Sequence, residues 1–145
     1  MAYAYSERSQ KILLTVHPLL QQVFNEAIHH RDVSITAGRR GKSAQNKLYA
    51  TGQSKLLYPH SYHNATAPAL ACAVDAIPFP TTAEDWKNRE FWVEWSSWIK
   101  GLATGLGITV ISGYDWDNDY DVGDHTFYDG PHFQLTSDFR PDSHP

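Results

Sequence analysis

One acidic residue, Asp75, interrupts the mostly apolar segment LACAVDAIPF at residues 70–79. A short apolar run of this kind predicts a buried strand. A lone buried carboxylate costs several kcal/mol unless a cation, a hydrogen-bond donor or a metal compensates its charge. Any fold of this chain must therefore bring a partner to Asp75.

Two histidines are candidates for that partner. His63 lies in the HSYHN loop that leads toward the Asp75 strand, and His132 lies near the start of PHFQL, the last predicted strand. Two imidazoles and one carboxylate form a three-ligand set for zinc that leaves a fourth tetrahedral position open to water. The alternatives are a salt bridge from Asp75 to an arginine, a capping role for Asp75, and histidines that belong only to the surface or the core.

A second acid, Asp129, lies three residues before His132 in FYDGPHF. A carboxylate at this offset can stand beside a metal without ligating it, take a proton from a bound water, and later give it to a leaving amine. The combination favours a catalytic site, but the spacing alone leaves both the catalytic and the structural interpretation open.

The apolar pattern predicts an α+β fold. Helical periodicity predicts helices at 9–30, divided by Pro18, at 43–50, capped by Ser43, and at 84–106. Apolar or β-branched runs predict four strands, at 33–37, 70–79, 108–112 and 131–135. Because strands and helices do not alternate regularly, we expect helices packed on a small, mainly antiparallel sheet.

The composition sets limits on domain number and partners. A chain of 145 residues with 41% hydrophobic content can bury one sizeable core, so we expect residues 1–145 to form a single domain. The single cysteine, Cys72, excludes an internal disulfide. A net charge of −4 argues against nucleic-acid binding, which depends on neutralising phosphates. Nothing indicates an obligate oligomer, and we expect a monomer.

The amino-terminal sequence MAYAYSERSQ has no basic segment followed by an apolar run. No apolar stretch approaches the roughly 20 residues that span a bilayer. We therefore expect neither an export signal nor a membrane anchor.

Residues 115–129 form an acidic segment without lysine or arginine. Carboxylates at alternate positions in DWDNDYD are an oxygen-rich arrangement that calcium prefers. The segment fails the EF-hand pattern, because Tyr120 and Thr126 stand where that pattern has glycine and glutamate. A solvated loop and a calcium site are both open interpretations, and the candidate calcium ligands are Asp115, Asp117, Asp119, Asp121 and Asp124.

The combined pattern resembles a family of zinc peptidases. This family includes the D-Ala-D-Ala carboxypeptidases and dipeptidases of bacteria and the L-alanyl-D-glutamate peptidase endolysins of tailed phages. Its motif SxHxxGxAxD and its later acid-x-x-histidine are matched by Ser61, His63, Ala73, Asp75, Asp129 and His132. The segment TAGRRGKSAQNKLYATGQSK also resembles the family, through Gly38, Arg40 and Gln45. The similarity reaches from about Thr36 to Leu135.

One departure from the family motif concerns the first histidine. Eleven residues separate His63 from Asp75 where the motif has six, and the motif glycine is missing. The additional residues fall within NATAPALA, where a loop can absorb an insertion without moving the strand. The departure leaves His60 as the alternative to His63.

The resemblance implies an α+β fold of the Hedgehog and DD-peptidase kind with one zinc ion per chain, held by His63, Asp75 and His132. It also implies that Asp129 is the general base and then the general acid. Arg40 would stabilise the oxyanion through its fork of donors. Arg39 is the alternative for that role.

The small size, without an export signal or a separate wall-binding domain, resembles a phage endolysin that accumulates in the host cytoplasm and reaches the wall after the inner membrane is permeabilised. The implied reaction is hydrolysis of the L-alanyl-D-glutamate bond in the peptidoglycan stem peptide during host lysis. The alternatives are a D-Ala-D-Ala carboxypeptidase or dipeptidase, a non-catalytic binding module with structural zinc, and a metal-free domain. Asp129 and Arg40 favour an enzyme, because a structural zinc site needs no base. Trp116 is the tryptophan expected to meet substrate.

Overall fold

Helices and an antiparallel sheet make up the fold in this computed structural model, which describes residues 2–123 and 127–140. Within these residues the helices are α1 (Glu7–Leu13), α2 (Pro18–Ala27), α3 (Lys42–Ala50), α4 (Ala83–Trp86) and α5 (Arg89–Gly105). The strands are β1 (Val33–Ala37), β2 (Ala73–Pro78), β3 (Ile111–Gly113) and β4 (Asp129–Gln134), and a short 3-10 helix follows at Ser137–Phe139.

The four strands lie in the order β1-β2-β4-β3, and every neighbouring pair is antiparallel. The pairing of β2 with β4 sets Asp75 directly opposite His132. This architecture confirms the predicted α+β fold with helices on an antiparallel sheet. None of the helices in the described residues is both long enough and apolar enough to cross a bilayer.

The helix boundaries follow from local capping chemistry. Pro18 begins α2, as predicted, and the His17 side chain caps it by accepting from the backbone N–H of Leu19. The predicted helix at 84–106 is wrong as one unit, because a capping box at Thr82 starts the short α4 and the Asn88 side chain caps a new helix, α5. The predicted cap at Ser43 is also wrong, since α3 begins at Lys42.

The core holds β2 and β4 in register. Trp95 of α5 is fully buried, and its indole N–H donates to the carbonyl of Ala76 in β2 at 3.0 Å. Phe133 of β4 packs between Trp95 and Phe24 of α2, with ring centroids 6.3 and 5.7 Å apart. Because these rings fix β2 and β4 from the interior, the Asp75 to His132 pairing is a consequence of core packing.

Strand β4 begins at Asp129, two residues before the predicted start. Asp129 pairs with Gly113 of β3, where a Cβ atom would collide with the Asp129 backbone. The next residue, Gly130, lies against the indole of Trp92. Two glycines therefore let the backbone around Asp129 pack closely, so that Asp129 belongs to the sheet and not to the preceding loop.

We expect Gly130→Ala to destabilise the protein by about 1–3 kcal/mol, because its Cβ would lie 2.5 Å from the Trp92 ring. Gly101→Ala is the control. Nothing lies within 4 Å of a Cβ at this exposed position of α5, and alanine there stabilises the helix by about 0.5–1 kcal/mol. Urea unfolding followed by circular dichroism measures both variants. Equal midpoints for wild type and Gly130→Ala would contradict the packing argument.

Candidate active site

Asp75 lies between two imidazoles. Its Oδ1 atom is 3.0 Å from Nε2 of His63 and 3.3 Å from Nδ1 of His132. The two histidines are buried, with 3% and 6% of their surface exposed, and their ring centroids are 5.1 Å apart. One ligand atom from each of the three residues lies within 4.8 Å of the others. The fold thus brings together the three residues that the sequence proposed as a metal site.

The other nitrogen of each imidazole faces a hydrogen-bond acceptor. Nδ1 of His63 lies 2.8 Å from the carbonyl oxygen of Gly38, and Nε2 of His132 lies 2.7 Å from Oε1 of Gln134. If each ring donates its N–H there, the lone pair of the remaining nitrogen points at Asp75. Histidines that bind metals are held by such outer partners. These three residues therefore fit a divalent metal with a preference for nitrogen and oxygen ligands, as zinc has.

Gly38 permits the contact with His63. A Cβ at this position would lie 2.5 Å from Oγ1 of Thr15 and 2.9 Å from the carbonyl oxygen of Ile12. Only a residue without a side chain lets β1 end so close to α1. The glycine noticed in the sequence motif thus has a steric reason here, and its carbonyl orients an imidazole.

The insertion between His63 and Asp75 forms a loop that closes on itself. The backbone N–H of Cys72 donates to the carbonyl of Tyr62 at 2.9 Å, so the chain returns beside its starting point. The backbone N–H of Arg40 donates to the carbonyl of His63 at 2.8 Å and fixes the other side. His63 therefore reaches Asp75 despite the longer spacing, whereas the side chain of His60 is exposed and does not line the cavity over the three residues.

Charge reinforces this arrangement. Burial opposes ionisation of Asp75, but the charges and hydrogen bonds of His63 and His132 outweigh it and hold the Asp75 pKa well below its usual range. Burial likewise works to lower the pKa of His132, but the hydrogen bond to Asp75 and its charge raise the pKa overall. The site is thus a largely buried anion, with 19% of the Asp75 side chain exposed, that attracts a proton or a metal cation.

Asp129 and Arg40 line the same cavity as the three residues. Burial, followed by the negative charge of Asp75, raises the pKa of Asp129, although His132, His63 and Arg40 act in the opposite direction. Burial lowers the pKa of Arg40, and Asp75 and Asp129 partly offset that effect. A carboxyl group with a raised pKa accepts a proton more readily than an exposed one, which is the property that a general base and acid needs.

A fully buried glutamine orients Arg40. This residue is Gln45. The Oε1 atom of Gln45 accepts from Nη1 of Arg40 at 3.0 Å and from Nδ2 of Asn64 at 3.1 Å. Arg39, the alternative from the sequence, directs its Nη1 to the carbonyl of Ala69 at 2.9 Å and is not part of the cavity wall as described. Among the two arginines, Arg40 is therefore the one beside the acidic cluster.

The cavity above the cluster has a volume of about 570 Å³. Trp116 forms part of its wall, 5.1 Å from the ring of His132, and stacks on Phe127 at 6.0 Å. The Trp116 indole N–H also donates to the carbonyl of Phe127 at 2.8 Å. Trp116 is the wall residue expected from the sequence, whereas Phe127 and Gln134 were not predicted. The position of Gln134, two residues after His132 on the same face of a strand, is the signal that could have revealed it.

Three carboxylates of the acidic segment lie close together, and a lysine from outside the segment pairs with one of them. Asp115, Asp117 and Asp119 each place an oxygen within 4.8 Å of the others. Asp115 is 2% exposed, and its Oδ2 accepts from Nζ of Lys100 and from the backbone N–H of Tyr120, both at 2.8 Å. Asp121 is outside this group, and Asp124 lies outside the described residues. Lys100, which belongs to α5, was not predicted as a partner of this segment.

Asp115 provides a pH-dependent contribution to stability. Burial opposes its ionisation, but the hydrogen bonds from Lys100 and Tyr120 outweigh it and lower its pKa to about 2. A carboxyl in an unfolded chain has a pKa near 3.9, so this stabilisation is fully present above about pH 4 and is lost as the pH falls through 2.

We therefore expect the stability difference between wild type and Asp115→Asn to shrink by on the order of 2 kcal/mol between pH 5 and pH 2. Chemical denaturation at several pH values measures this difference. A difference that stays constant over that range would contradict the assigned ion pair.

Comparisons with known proteins identify the family of this chain. A model of the family of phage L-alanyl-D-glutamate peptidases matches residues 1–136. The L-alanyl-D-glutamate peptidase of Escherichia phage T5 is 32% identical over 143 residues, which cover 93% of this chain and 99% of that protein. The crystal structure of the Serratia marcescens L-Ala D-Glu endopeptidase ChiX matches with a TM-score of 0.67 and 27% identity, over 92% of this chain and 90% of that one. The chain belongs to the phage L-alanyl-D-glutamate peptidase family.

Proposed function

We propose that this protein is a phage endolysin that hydrolyses the L-alanyl-D-glutamate bond in the peptidoglycan stem peptide by zinc-dependent peptidase chemistry. Membership of the family supports the bond. The observation that carries the chemistry is the cluster of His63, Asp75 and His132 at a cavity that Asp129 and Arg40 also line.

Zinc is the metal that this donor set favours. Two imidazole nitrogens and one carboxylate oxygen are a ligand set of catalytic zinc sites, with a position left for water. We propose one zinc ion per chain, held by His63, Asp75 and His132. When bound, zinc polarises a carbonyl group and lowers the pKa of a coordinated water toward about 7.

The remaining steps belong to the side chains. Asp129 takes the proton of the attacking water and keeps that proton until the alanine–glutamate bond breaks. It then donates the proton to the amine of the leaving glutamate. Arg40 donates N–H groups to the oxyanion that develops on the alanine carbonyl oxygen. Because Gln45 already fixes the guanidinium, Arg40 needs little reorganisation.

We further propose that residues 1–145 act as one catalytic domain and as a monomer that reaches peptidoglycan from the host cytoplasm once the inner membrane is permeabilised. The shared hydrophobic core of the helices and the sheet supports one domain. Calcium binding by the acidic segment stays a prediction. Three carboxylates of this segment approach one another, but the ammonium of Lys100 already neutralises Asp115.

Metal content tests the ligand assignment. We expect wild-type protein purified without chelators to contain about one zinc per chain by elemental analysis, and His63→Ala to lose most of it because one of three ligands is removed. His60→Ala is the matched control, since this exposed histidine is three residues away and should leave the zinc content unchanged. Loss of zinc in His60→Ala with retention in His63→Ala would reverse the assignment.

Digestion of purified peptidoglycan tests the reaction. We expect new alanine carboxyl ends and glutamate amino ends by mass analysis. Asp129→Asn should lower kcat about 10²- to 10⁴-fold, because an amide cannot accept the proton. Zinc content should stay at the wild-type level. Release of free D-alanine would favour the carboxypeptidase alternative, and undiminished cleavage by Asp129→Asn would remove the role of Asp129.

A further inference from the structure

A second cation, Lys55, lines the cavity together with Arg40. Among the described residues, no other lysine or arginine lines this cavity. The ammonium of Lys55 lies 5.0 Å from the centre of the Phe127 ring. Lys55 forms no ion pair within the described part of the chain, in contrast to Lys100. An exposed ammonium over an aromatic wall of a reaction cavity is therefore available to a ligand.

The buried side chain of Gln45 fixes the segment that carries Lys55. Its Nε2 atom donates to Oγ of Ser54 at 2.9 Å and to the carbonyl of Leu56 at 2.6 Å, on either side of Lys55. Its Oε1 atom accepts from Arg40. One buried amide thus holds Arg40 and the backbone around Lys55 in a fixed relation, although the lysine side chain itself is exposed.

The proposed substrate requires a cation at this cavity. In an L-alanyl-D-glutamate bond the amine of glutamate is acylated, and the peptide continues through one of its two carboxyl groups. The other carboxyl group stays free unless it is amidated, and it lies a few bonds from the scissile bond. Asp129 repels that anion, and the zinc ion proposed at Asp75 would be engaged with the scissile carbonyl group. Arg40 is already bonded to Gln45 and is assigned to the oxyanion.

We propose that Lys55 binds the free carboxylate of the D-glutamate residue on the leaving side of the scissile bond. This assignment rests on the proposed function and specifies how the acidic substrate is recognised. The ammonium of Lys55 lies over the face of the Phe127 ring, and Trp116 stacks on Phe127. If one positive charge recognises this carboxylate, the enzyme should cleave a peptide with the free carboxylate faster than a peptide with a carboxamide in its place.

Two synthetic stem peptides test the proposal, one with the free glutamate carboxyl group and one with a carboxamide in its place. We expect wild type to cleave the carboxylate form with a kcat/KM about tenfold higher. Lys55→Gln should lower kcat/KM for the carboxylate form about tenfold, mainly through KM, and leave the carboxamide form unchanged. Lys55→Arg should restore the preference, because it keeps the charge.

Lys47→Gln is the matched control. It removes the same charge from an exposed position on α3 that does not line the cavity, so the preference for the carboxylate form should persist. Zinc content and thermal unfolding of each variant verify that the fold is intact.

The outcomes separate this proposal from the proposed function. Equal rates of wild type on the two peptides, or an equal loss on both in Lys55→Gln, overturn the role of Lys55 while the peptidase function stands. Cleavage of neither peptide by zinc-loaded wild type overturns both.

Discussion

The negative charge of Asp75 is the constraint on which the rest of the structure depends. A carboxylate in the middle of an apolar sheet must be compensated, and two buried imidazoles lie 3.0 and 3.3 Å from it, where a proton or a metal cation held between them would compensate the charge. One imidazole, that of His132, comes from the strand directly opposite. The other, His63, comes from a loop that Gly38 and Tyr62 hold in place. The core packing of β2 against β4 and the closure of that loop therefore each place one imidazole beside Asp75.

A second constraint is the placement of Arg40 and Lys55 around the cavity that Asp75 borders. Gln45 is fully buried and uses both ends of its amide, since Oε1 accepts from Arg40 and Nε2 donates to the segment around Lys55. A buried amide with all of its groups bonded is specific in geometry, because any shift leaves a polar atom unpaired. Its position in the sequence motif gave no hint of this double role, which depends on a loop eleven residues later.

The sequence predicted those parts of the fold that depend on local chemistry. Pro18 marks a helix start because of its fixed backbone angle, and the β-branched residues at 33–37 form β1 as predicted. His63 and His132 could be predicted as partners of Asp75 because a carboxylate in an apolar strand is costly unless its charge is compensated. By contrast, the pairing of Lys100 with Asp115 and the closeness of Gly113 to Asp129 depend on residues 15 or 16 positions apart in the chain, and no local pattern encodes them. The helix boundary at Asn88 has a local signal in its capping side chain, but the apolar period across residues 84–106 favours one continuous helix.

A catalytic metal site differs from a structural one in having a coordination position that is open to solvent or substrate. A structural site is closed by protein ligands, whereas here the three candidate ligands border a cavity of about 570 Å³. Asp129 borders the same cavity, and burial, followed by the negative charge of Asp75, raises its pKa. A folded protein gains nothing in stability from a carboxyl that is harder to ionise than it is in water. The proposed role in proton transfer would give a reason for this environment of Asp129, and the close packing at Gly113 and Gly130 holds Asp129 there.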